Sequence, residues 1–177
     1  TRRLAMINSA RSFLYLTTFY IEHDAYGTAL LAALQHAQRR GVSVTLLIDS
    51  FGQRMGGVLM TPAQRAALTR ELDTLRQAGG TVVMYAPPYL AQRLLGGGQH
   101  VKIQVSEVGE AIFGSGNITL SSFEQWNEYA VAVCGPVVGA LLESVRTLGG
   151  PVDPAHLEQL ARTATHTPAD VQLDYWL

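Results

Sequence analysis

The chain holds a single lysine, Lys102, against twelve arginines. It stands two residues after His100 in a run, 100–106, that reads as a strand, and residues i and i+2 of a strand point to the same face. The pattern therefore sets an imidazole beside a compact ammonium, where an arginine would present a planar fork. Downstream, Gly114-Ser115-Gly116-Asn117 offers backbone N–H groups, a hydroxyl and a carboxamide in a tight turn, a combination suited to cradling an anion. Glu128 is flanked by Trp126 and the apolar run 129–134, and a carboxylate is costly to bury without a partner. A histidine is its natural partner, because a carboxylate accepting from Nδ1–H fixes the tautomer and leaves Nε2 free to attack. Taken singly, each feature has a plain alternative. His100 and Lys102 fit an exposed strand, the Gly-Ser-Gly-Asn segment fits an ordinary turn, and Glu128 fits a solvated edge.

Taken together, the spacing resembles the signature of the phospholipase D superfamily. That signature is His-x-Lys, four residues, Asp, six residues, Gly-Ser-x-Asn. Here His100-Val101-Lys102 is followed by four residues, Glu107, six residues and Gly114-Ser115-Gly116-Asn117. Glu128 falls where the family places its histidine-orienting carboxylate. The departure is Glu107 for the usual Asp; Glu107 and Gly114 are expected to shape the motif rather than react. The resemblance covers roughly residues 1–148 and is nearest to the first half of bacterial cardiolipin synthases. It implies phosphodiester transfer on phospholipids through a phosphohistidine on His100. Lys102, Ser115 and Asn117 would hold the substrate phosphate, and Glu128 would orient His100. No metal or other cofactor is implied. The acceptor is an alcohol or water. Because the family's site uses two histidines and this chain carries one motif, the second is expected from another half of a longer chain or from a homodimer.

Those residues need elements to hold them. Residues 13–21 form an apolar, β-branched and aromatic run that reads as a buried strand. Asp24 and Gly27 then mark a break. Leu30, Ala33, Leu34 and Ala37 make a helical stripe, with Arg39, Arg40 and Gly41 as its stop. Residues 42–48 read as a second strand, closed by Asp49-Ser50-Phe51-Gly52. Strand, helix, strand at this spacing is a βαβ unit with parallel strands. Thr61, Pro62 and Gln64 open another helix with a capping box, and Leu68, Leu72 and Leu75 give its apolar face. Residues 81–85 are a third strand and 86–99 a loop rich in Pro and Gly. Strands are expected at 100–106 and 110–114, turning at Val108-Gly109, and again at 126–134. A helix follows from Pro136. The expected fold is α/β: a mixed, mainly parallel central sheet with helices on both faces, spanning 1–150. Residues 151–177 read as a linker or lead-in, with a short helix near 155–163 and a strand at 171–177.

Composition narrows the function classes. The chain is 177 residues, 47% hydrophobic and 15% charged, which excludes a disordered segment. A net charge of −1 gives no basic surplus, so nucleic acid is the less favoured partner and a phospholipid the more favoured. The runner-up is a homodimeric phosphodiesterase acting on nucleic acid, with Arg54, Arg65, Arg70, Arg76 and Arg93 as its basic patch. A non-catalytic scaffold keeping the fold is the third reading. No run of about 18 apolar residues marks a membrane span, so contact with a membrane would be peripheral; the compartment is undetermined. The start at Thr1 and the weak tail suggest a piece of something longer. Cys134 reads as a small buried hydrophobe. His36, His156 and His166 read as surface residues, Asp24 and Asp49 as cap or turn residues, and Tyr20 and Trp126 as core. Phe51, at a strand end, could line a cleft. Successive Glu22-His23-Asp24 do not converge on one ion.

Overall fold

The structure is a computed structural model that describes residues 1–94, 96 and 98–164. In chain order it runs α1 (Arg2–Ser9), β1 (Phe13–Thr18), α2 (Ala25–Arg39), β2 (Ser43–Asp49), α3 (Ser50–Leu59), α4 (Pro62–Gln77) and β3 (Thr81–Tyr85). Then come α5 (Leu90–Leu94), β4 (Ile103–Ser106), β5 (Glu110–Gly114), α6 (Leu120–Glu124), β6 (Ala130–Cys134), α7 (Val137–Thr147) and α8 (Pro154–Ala164).

The six strands form one sheet in the order β3-β2-β1-β4-β5-β6. β1 pairs in parallel with β2, and β2 with β3. The other three pairings are antiparallel. The α/β class and the mixed sheet match the sequence reading, but parallel pairs do not dominate. The reason is local: β4 and β5 are joined by a turn at Val108-Gly109, with Gly109 at φ 71°, and so short a link permits only antiparallel pairing. Parallel and antiparallel halves meet between β1 and β4, in the register Leu14↔Ser106, Tyr15↔Val105 and Leu16↔Gln104.

Side-chain alternation on β1 feeds two cores. Leu14 and Leu16 face α2 and α1, where Leu30, Leu31, Leu34 and Ile7 are fully buried. Phe13 and Tyr15 face the opposite layer, with Val138, Leu141, Leu142 and Val145 of α7. Burial on both faces explains why β1 and β2 read as unbroken apolar runs. Asp24 and Asp49 are indeed caps, accepting from the backbone N–H of Gly27 and Gly52 at 2.7 Å each. The Thr61/Gln64 capping box forms as expected.

Several expectations are corrected. Cys134 is exposed, because β6 lies at the sheet edge and most of its side chains face outward. The strand expected at 126–134 begins only at Ala130, leaving Trp126, Glu128 and Tyr129 in the preceding loop. Trp126 is accordingly exposed rather than core. His156 is not a free surface residue: it stacks on Phe13 at 4.1 Å between ring centroids, and its Nδ1 meets the Tyr15 hydroxyl at 2.8 Å. Val152, Leu157 and Leu160 likewise pack into the second core, so the segment after 150 is docked on the domain as far as it is described. His166 and the strand expected at 171–177 lie outside the described residues. Helices α1, α3, α5 and α6 were not legible; α3 has no inward apolar stripe to announce it.

Candidate active site

His100 and Lys102 sit on the extended segment that leads into β4. The segment is strapped from the first half of the chain. The Thr17 hydroxyl donates to the Val101 carbonyl and accepts from the Ile103 N–H, both at 2.9 Å, so it grips the backbone on either side of Lys102. Gln99 donates through Nε2 to the Thr18 carbonyl and accepts from the Val101 N–H. Its own N–H donates to Asp49 Oδ2 at 2.7 Å. Asp49 is fully buried and also caps α3 through Oδ1, so one carboxylate ties the end of β2, the start of α3 and the backbone next to His100. Sequence reasoning saw only the cap. Thr17 and Gln99 it missed altogether, since a Thr inside an apolar strand and a Gln beside a loop carry no motif.

His100 is exposed, with its ring edge against Phe19 at 4.7 Å. Partial burial and then the nearby Lys102 charge hold its imidazole below the ordinary value, favouring the neutral, nucleophilic form at pH 7. Lys102 is 2% exposed. Its Nζ donates to the His100 carbonyl at 2.9 Å and lies 5.4 Å from the Phe19 ring centre. Among the described residues its ammonium has no carboxylate in ion-pair range. Burial lowers it from 10.5 to about 8 against the opposing pull of Glu128. A buried cation held by one carbonyl is poised for an anion.

The Gly-Ser-Gly-Asn turn closes on this segment. The Gly114 N–H donates to the Lys102 carbonyl at 3.2 Å, and a Cβ at Gly114 would stand 2.1 Å from the Tyr129 carbonyl oxygen, so only glycine permits the approach. Ser115 Oγ accepts from the Tyr129 N–H at 3.0 Å, which leaves its own proton available to a ligand. Asn117 is 4% exposed, and its Oδ1 is buried without a hydrogen-bond partner. Glu128 lies against Gly116, and its charge acts through space on His100, Lys102 and Arg3. Among the described residues no hydrogen bond or ion pair joins Glu128 to His100; the carboxylate stands in the loop before β6, not in a strand facing the imidazole. Arg3, 7% exposed, donates to the Gly116 carbonyl at 3.4 Å and adds a cation the sequence did not suggest. Glu128, Arg3 and Gly116 share a groove of about 630 Å³ with Phe123, Trp126 and Tyr129.

Glu107 stands apart. It lies beyond the far end of β4, where Oε1 accepts from the Arg11 N–H at 2.7 Å and braces the start of β1. Among the described residues no three His, Cys, Asp or Glu side chains group as metal ligands, and no helix is long and apolar enough to cross a membrane.

Residues 4–145 match a family described as "Cardiolipin synthase, PLD-like domain". The chain is 30% identical over 148 residues to cardiolipin synthase B of Salmonella typhi, covering 77% of this chain and 32% of that protein. It is 28% identical over 115 residues to a cardiolipin synthase of Clostridium perfringens, covering 63% of this chain and 21% of that protein. The chain thus spans a third or less of the length of these curated relatives. In fold it is similar to Nuc from Salmonella typhimurium, a phospholipase D family member (TM-score 0.64, 20% identity, 84% of this chain and 86% of that one). It is also similar to a phosphatidylserine synthase of Haemophilus influenzae (TM-score 0.64, 15% identity, 93% of this chain and 40% of that one). The signature spacing, the sheet and a family match over most of the length agree: the chain belongs to the phospholipase D superfamily, with a PLD-like domain of the cardiolipin synthase type.

Proposed function

We propose that this domain transfers a phosphatidyl group through a phosphohistidine on His100 and supplies one of the two motifs of a composite site. The observation that carries the reading is Lys102: a nearly fully buried ammonium without a carboxylate partner, on the same strapped segment as a histidine kept neutral. In the first step His100 Nε2 attacks phosphorus. The N–P bond forms and the P–O bond to the leaving alcohol breaks. A histidine of the second motif gives that oxygen its proton. Lys102, the Ser115 hydroxyl and Asn117 hold the non-bridging oxygens, whose charge their donors offset in the transition state. Glu128 steadies the imidazolium form of His100 and the Lys102 charge through space. In the second step an alcohol or water loses its proton to the second histidine, attacks phosphorus and breaks the N–P bond. An alcohol gives a new phosphodiester; water gives hydrolysis.

The test is chemical trapping. The chain is mixed with detergent-dispersed phospholipid and quenched, and its peptides are analysed for an acid-labile, alkali-stable phosphoryl adduct. The expected result is an adduct on His100 that His100→Asn abolishes. A chain that self-associates and forms no adduct, or an adduct surviving His100→Asn, overturns the reading. Light scattering at several concentrations gives the arrangement of halves. A stable species of about twice 19.2 kDa supports a site composed from two copies, and a monomer places the second motif on another segment.

A further inference from the structure

Helix α3 is amphipathic the wrong way round. Its inward face is glycine: a Cβ at Gly52 would meet Phe19 at 2.3–2.6 Å, and one at Gly56 would meet the Tyr20 ring at 2.4 Å. The helix backbone therefore lies flat on the β1 exit segment. Gln53 pins it there by donating to, and accepting from, the Ile21 backbone. Most of its larger side chains point outward. Phe51, Arg54, Met55, Val58 and Leu59 follow at i, i+3, i+4, i+7 and i+8, one continuous face. Met55, Val58 and Leu59 are 55, 82 and 67% exposed. Met84 of β3 and Arg93 of α5 adjoin the same surface.

The charge along this face has one sign: Arg54, Arg65 and Arg93 line its grooves, and no carboxylate does. α3, β3 and α5 contain no acid. The face also leads to the site. Arg54 lies over Phe51, Phe51 is 6.4 Å from Phe19, and Phe19 touches His100, measured between ring centres.

We infer that the outward face of α3, with Met84 and Arg93, docks on an anionic lipid bilayer and so presents the His100 site to headgroup phosphates. Aliphatic side chains ringed by arginine fit an interface of acyl chains and anionic headgroups. A second copy fits it poorly, because a two-fold contact would set this acid-free face against itself. A polyanion such as nucleic acid would use the arginines but not Met55, Val58 and Leu59. The inference rests on the lipid reading of the site.

The experiment is sedimentation of the full chain with vesicles of phosphatidylglycerol and phosphatidylcholine, and with phosphatidylcholine alone. The expected result is binding to the anionic vesicles that Val58→Ser with Leu59→Ser weakens by at least about tenfold. Arg54→Gln is expected to weaken it severalfold at low salt and to flatten its salt dependence. These side chains are exposed, so thermal unfolding should not move; if the double variant unfolds early, Met55→Ser serves in its place. The inference is overturned if the anionic vesicles are not preferred, or if the serine variants bind as well as the parent. It is equally overturned if those variants lose single-stranded DNA binding or concentration-dependent self-association instead. Adduct formation from detergent-dispersed lipid without vesicle binding removes the docking face alone. Vesicle binding through this face by a self-associated chain that forms no adduct removes the proposed reaction alone.

Discussion

At the scale of single residues, the site is governed by two groups whose protonation has been pushed the same way. His100 is held below 6.5, and Lys102 is lowered to about 8. In the proposed reaction neutral His100 is the nucleophile and charged Lys102 holds the phosphate, so turnover should fall on both sides of neutrality. The acid limb should lie below pH 6.5 and the alkaline limb near pH 8, read from kcat/KM against pH. Lys102→Arg should lower the rate yet move the alkaline limb upward, because a guanidinium does not deprotonate in that range. The same shift has a sign for stability. Between pH 8 and 10.5 the unfolded chain keeps the Lys102 proton that the folded chain has lost, so this group's contribution raises stability as pH rises across that window. Urea unfolding of the parent against Lys102→Met should show that slope in the parent only. The motif residues stood out because a family resemblance specifies their types and spacing. Thr17 did not, although it straps both sides of Lys102; a hydroxyl in an apolar strand announces nothing until the strand beside it is known. Thr17→Val should cost about 1–3 kcal/mol in denaturant unfolding, from the buried groups it leaves unpaired, and should lower kcat more than it raises KM.

At the scale of elements, what packs by pattern was legible. β1, β2 and β3, with α2, α4 and α7, were readable from apolar runs, caps and stripes. α3 was not, because its apolar residues face out and its glycines face in; a glycine-rich stretch after a strand looks like a break. The geometry makes an unusual demand. In a free helix Gly→Ala is stabilising by about 1 kcal/mol. At Gly52 and Gly56 the added methyl meets Phe19 and Tyr20 well inside contact distance. Gly52→Ala or Gly56→Ala should therefore destabilise by about 1–3 kcal/mol in denaturant unfolding, the cost of overpacking. The shift should also reach the site through Phe19. Asp49 is the other element-level device. Removing its carboxylate in Asp49→Ala frees two buried N–H groups, Gly52 and Gln99, and should reduce both stability and turnover. The edge strand β6 was overextended in the reading because Trp126 and Tyr129 look like strand residues; in the fold they line the groove beside Glu128.

At the scale of the whole molecule, the sheet is two sub-sheets joined along one line. β3, β2 and β1 form the parallel part and β4, β5 and β6 the antiparallel part, and three registered pairs, Leu14↔Ser106 to Leu16↔Gln104, join them. Each strap on the reactive segment crosses that line: Thr17 to Val101 and Ile103, Gln99 to Thr18, and Gln99 to Asp49. The site behaves as a logical conjunction, formed only when both parts are folded and zipped together. A chain nicked between β3 and β4 and mixed back as two pieces should stay silent until they reunite, and the rate at which the proposed His100 adduct becomes trappable again would then be a clock for the zipping itself.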